Sequence, residues 1–101
     1  MLKVLSTVVP KSLTIAAGIV NAGIELALPD MVITAGRNGR HRPGSKHYTD
    51  NALDFRTKHL TDVDKRLLVA AVTRRLGTDY DVLLEDAGTS NEHGHAEHDP
   101  P

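Results

Sequence analysis

The sequence predicts an α+β domain, a small antiparallel sheet packed against two helices. Three observations carry this expectation. Residues 13–27 and 61–76 repeat apolar positions at helical spacing. Between and after them lie short runs rich in Val, Ile and Leu, bounded by Gly, Pro and polar clusters. The chain has 101 residues with 40% apolar and 25% charged, which suits one core and leaves no room for a second, so a single domain over 1–101 is expected.

The elements follow in order. Residues 1–9 are a short apolar stretch ended by Pro10. Ser12 suits an N-cap, and Leu13, Ala16, Ala17, Val20, Ile24 and Ala27 form the apolar stripe of a first helix that Pro29 stops. The run SLTIAAGIVNAGIELAL follows Lys3 and Lys11 in the manner of an export signal, but Asn21 and Glu25 interrupt it, and a buried helix is expected instead. MVITAG (31–36) reads as a strand, RNGRHRPGSK (37–46) as a loop and NALDF (51–55) as a second strand. Its alternation sends Leu53 and Phe55 to one face and Ala52, Asp54 and Arg56 to the other. Thr61 is a suitable N-cap for a second helix, with Asp62 and Asp64 in its first turn, Arg74 and Arg75 in its last and Gly77 just beyond. Its expected apolar face is Val63, Leu67, Leu68, Ala71, Val72 and Leu76. YDVLLE (80–85) and HGHAEH (93–98) supply the remaining strands.

Composition excludes several function classes. A net charge of -1 and 3% aromatics give neither the basic excess nor the stacking platforms of a nucleic-acid binder. There are no cysteines, so any transition-metal site must use His and carboxylate ligands. Charge is unevenly spread. Residues 37–58 hold six Arg and Lys against Asp50 and Asp54, whereas from Asp81 onward there are six acidic residues and no Lys or Arg. That division suits a cleft handling both a cation and an anionic group.

SKHYTDNALDFR (45–56) places Asp54 between Leu53 and Phe55 with His47 just upstream. A carboxylate in a strand needs a partner, and NEHGHAEHDPP offers one through a shared ion. If 93–98 is extended, His93, His95 and Glu97 project to one face. Zinc accepts imidazole nitrogen and carboxylate oxygen, with an open position for water in catalytic sites. His47, Asp54 and His95 would make such a set. Glu92 would stand at the strand mouth as general base, with Glu85 and Glu97 as nearby alternatives. His93 could be a second-layer or substrate-binding group, and Glu97 or Asp86 could orient a ligating imidazole.

GRNGRHRPGSKHYTDNALDFR followed by EHGHAEHDP resembles the peptidase M15 family, zinc peptidases acting on bacterial cell-wall peptides. The family pattern of S-x-H, six residues, D, and later E/D-x-x-H is carried by Ser45, His47, Asp54, Glu92 and His95. The resemblance covers roughly residues 31–99 and implies a Hedgehog/D-Ala-D-Ala peptidase-like fold. It further implies His47, Asp54 and His95 as zinc ligands and Glu92 as catalytic base. Arg37 would hold the substrate carboxylate and stabilise charge at the scissile carbonyl, and Ser45 would hydrogen-bond the substrate backbone. The implied activity is hydrolysis of peptidoglycan stem peptides by zinc-activated water, with no nucleic-acid or membrane partner. The protein would stay cytoplasmic until released, or travel in a virion if phage-encoded. Asp50 stands where the family motif has Gly, and no Trp adjoins His95. Two other functions are weighed against this one. The first is a non-catalytic zinc-stabilised or phage structural module of the same fold. The second is a plain α+β domain with a metal-scavenging tail, which could lose 91–101 and still fold.

Overall fold

A computed structural model describes residues 2–4, 13–35 and 52–100. In chain order these form β1 (Leu2–Val4), α1 (Leu13–Glu25), β2 (Met31–Ala35), β3 (Ala52–Phe55), α2 (Asp62–Leu76), β4 (Tyr80–Glu85) and β5 (His93–His98). The sheet order is β1-β2-β3-β5-β4. β2, β3, β5 and β4 pair antiparallel, and β1 joins parallel beside β2. The α+β expectation holds, with an added parallel edge strand. Three residues are too few for periodicity to reveal, so β1 reads in the sequence only as an apolar stretch.

The core lies between the helices and one sheet face. Ile15, Ile19 and Ala22 of α1 and Leu68, Ala71 and Val72 of α2 pack on Ile33, Leu53, Phe55 and Ala96. Thr61 caps α2 as expected, its hydroxyl accepting from the Asp64 amide at 3.1 Å. Two expected faces need correction. In α1 the buried positions are Ile15, Ala16, Gly18, Ile19, Ala22 and Gly23, while Leu13 and Ile24 are exposed. The helix is apolar nearly all round, so spacing alone cannot choose the face. In α2, Val63 and Leu67 are exposed, because only the stripe through Leu68, Ala71 and Val72 meets the sheet. Glu25 ties the two helix ends together by accepting from Arg74 and, at 3.0 Å, from Arg75 Nε.

α1 ends before Pro29. Leu28 N–H bonds to Gly23 C=O at 3.0 Å and Ala27 N–H to Ile24 C=O at 3.1 Å, with Ala27 at φ 52. This is a Schellman closure with alanine in the left-handed position usually taken by glycine.

β5 lies between β3 and β4. Residues 93–98 are an interior strand, not an appended tail, which contradicts the scavenging-extension reading. Among the described residues no helix is long and apolar enough to cross a membrane.

Candidate metal centre

Sheet register decides which polar residues meet. Asp54 on β3 lies opposite His95 on β5, and on the other side Leu83 and Glu85 of β4 lie opposite His95 and His93. Alternation along β5 turns Gly94 and Ala96 into the core, leaving His93, His95 and Glu97 half-buried on the face away from the helices. Phe55 explains why position 94 is glycine. A Cβ there would fall on the Phe55 ring, so the core phenylalanine and the two flanking histidines share one local constraint.

His95 Nδ1 donates to Asp54 Oδ1 at 2.7 Å and Nε2 to Glu97 Oε1 at 2.8 Å. Both partners are acceptors, so the ring carries two protons in this state. Burial works against that charge, yet Asp54 and Glu97 outweigh it and push the His95 pKa up to about 9. His93 is held similarly. Nδ1 donates to Asn91 C=O at 2.6 Å and Nε2 to Glu85 Oε1 at 3.1 Å. Burial again opposes its charge, but the Asn91 carbonyl, Asp54 and Glu85 together raise its pKa above the ordinary range.

The cluster therefore gathers carboxylates around a protonated His95 and around His93, whose charged form the same neighbours favour. A divalent cation is the other species able to satisfy the same atoms. One donor atom each from Asp54, Glu85 and His93 lies within 4.8 Å of the other two. His95 Nδ1 is 3.7 Å from Glu85 and 2.7 Å from Asp54. Ligands on one tetrahedral zinc sit about 3.3 Å apart, given bonds of about 2.0–2.1 Å. A shared ion requires the Asp54–His95 contact to widen by roughly half an ångström, while the donor atoms that converge are those of Asp54, Glu85 and His93. Glu97 on Nε2 provides the outer carboxylate that a ligating imidazole commonly has. Imidazole nitrogen and carboxylate oxygen are donors that zinc accepts, and three such ligands would leave the fourth position open for water.

Glu92 has a different environment. Its side chain is buried. Both oxygens accept from Lys65 Nζ at 2.9 Å, Oε2 accepts from the Thr57 hydroxyl at 2.8 Å, and Oε1 accepts from Gly88 N–H at 3.1 Å. Lys65 first, then Gly88 and Thr57, hold its pKa at about 2. A cleft of ≈ 220 Å³ adjoins the centre, lined by Asp54, Glu92 and His93 among others.

Of the residues expected from sequence, Asp54 and His95 are brought together, and Glu92 borders the same cleft. Arg37, Ser45 and His47 lie outside the described residues. Glu85 stands beside the histidines because of β4–β5 register, which spacing within one strand cannot show. The Lys65 and Thr57 attachments of Glu92 depend on how α2 packs on the sheet, and no local pattern announces them. Comparisons with protein-family models, curated proteins and solved structures found no match for this chain.

Proposed function

We propose that this domain is a zinc-dependent peptidase that hydrolyses peptide bonds in peptidoglycan stem peptides. The observation that carries the metal part is the cross-strand Asp54–His95 contact at 2.7 Å, backed by Glu97 and flanked by His93 and Glu85 beside a small cleft. The choice of peptide substrate rests on the motif resemblance. Asp54 and His95 would hold the ion, with His47 as the third ligand of the motif. When bound, zinc supplies Lewis acidity toward the scissile carbonyl and toward water. Glu92 borders the cleft and takes the proton from the attacking water, returning it to the leaving amine.

One observation favours the second reading, a metal-stabilised binding module. Glu92 already uses both oxygens on Lys65, Thr57 and Gly88, and a carboxylate with a pKa near 2 is a weak base at neutral pH. Catalysis then requires Glu92 to exchange part of that network for water. Digestion of peptidoglycan fragments read by mass spectrometry separates the two. The peptidase reading expects cleavage by zinc-loaded wild type and its loss in Glu92→Gln with zinc content unchanged. Absence of cleavage products from zinc-loaded wild type leaves the binding module.

A further inference from the structure

His93 is held in a way that suits a metal ligand. Its Nδ1 donates to Asn91 C=O at 2.6 Å, the kind of backbone anchor that a ligating imidazole commonly has, and Nε2 is left facing two carboxylates. Nε2 lies 3.1 Å from Glu85 Oε1 and 3.8 Å from Asp54 Oδ2. Donors around one zinc sit about 3.3 Å apart, given bonds of about 2.0–2.1 Å, so both spacings are close to those an ion imposes. Strand register sets this up. Glu85 on β4 stands opposite His93 on β5, and Asp54 on β3 lies diagonal to it, opposite His95. His95 differs, because both its ring nitrogens are on carboxylates, Nδ1 on Asp54 and Nε2 on Glu97.

We propose that Asp54, Glu85 and His93 form a second divalent-cation site, which shares Asp54 with the set of His47, Asp54 and His95 but takes no ligand from either of those histidines. Asp54 serves both sites because its oxygens face different imidazoles, Oδ1 toward His95 at 2.7 Å and Oδ2 toward His93 at 3.8 Å. The imidazole favours zinc and other first-row transition ions over magnesium or calcium, which prefer shells made of oxygen. The cleft lined by Asp54 and His93 gives the ion a route from solvent and room for the water that completes its shell. The Glu85 side chain is 42% exposed, so water competes for this ion. With one imidazole in place of two, the second site is the weaker and empties on desalting.

The site does not depend on the peptidase chemistry, and it is read at equilibrium. The full chain is dialysed against a range of zinc chloride concentrations, and bound zinc is counted by elemental analysis without desalting. Folding of each variant is checked by circular dichroism. Wild type should bind two ions in separable steps. Glu85→Gln and His93→Gln should each weaken the lower-affinity step at least about 10-fold. His47→Ala should remove the tighter step and leave the weaker one in place. Asp81→Asn, which alters the separate group of Asp81, Glu97 and Asp99, should match wild type. Should His93→Gln fail to fold, Glu85→Gln decides, because that side chain is half-exposed. Zinc binding by Glu85→Gln and His93→Gln equal to that of wild type overturns the proposal. So does a single step that His47→Ala abolishes, or a wild type that binds no zinc. A single step that Glu85→Gln weakens and His47→Ala spares keeps this site and removes the motif's ion.

Discussion

Glu92 combines a structural duty with the place expected of a base. Its carboxylate serves Lys65, Thr57 and Gly88 at once, so Glu92→Gln removes the charge and leaves buried donors poorly matched. We expect a loss of about 1–3 kcal/mol in denaturant unfolding, whatever happens to turnover, so activity of that variant has to be measured below its melting transition. The same network predicts acid sensitivity. The Glu92 pKa falls from 4.5 to about 2 on folding, so its contribution is present above pH 4.5 and disappears as pH falls toward 2. Glu92→Gln should flatten the stability profile across that window. At position 94 the constraint is steric. Gly94→Ala places a methyl group on the Phe55 ring, and overpacking of this kind costs about 1–3 kcal/mol, measurable as a lowered melting temperature.

At the scale of elements, the sequence shows most of what the backbone does locally. Thr61 and Gly77 mark both ends of α2, and the alternation of HGHAEH tells which β5 residues share a face. The α1 stripe is not legible, because an all-round apolar helix gives periodicity nothing to contrast. Nor is the pairing of β5 with both β3 and β4, which brings Glu85 to His93 across an eight-residue separation. Sequence spacing thus reveals Asp54 and His95 as candidates, while register supplies their neighbours. The end of α1 offers an independent check. Ala27 occupies a left-handed conformation at φ 52 that costs an L-residue about 1–2 kcal/mol. Ala27→Gly should therefore stabilise the domain by about 1 kcal/mol and raise its melting temperature by about 4–8 °C.

For the whole molecule, a cation bound between β3 and β5 joins the middle of the sheet, so binding and folding are linked. Zinc at 100 times its dissociation constant adds about 2.7 kcal/mol, which for a domain this size raises the melting temperature by about 10–20 °C. The effect should depend on pH. Without zinc, His95 is held protonated by Asp54 and Glu97, its pKa raised from 6.5 to about 9. That contribution is complete below pH 6.5 and is lost as pH rises through 9. Zinc must displace the same proton, so its apparent affinity grows across this window. The melting difference between zinc and chelator should widen from pH 6.5 to 9.

The central claim is that Asp54 and His95 bind one divalent cation together. Elemental analysis after zinc loading and desalting tests it most directly, on wild type, Asp54→Asn and His95→Ala, with folding of each checked by circular dichroism. One zinc per wild-type chain and almost none in either folded variant is the predicted result. A wild type that emerges free of zinc, or folded variants that retain it fully, would contradict the account.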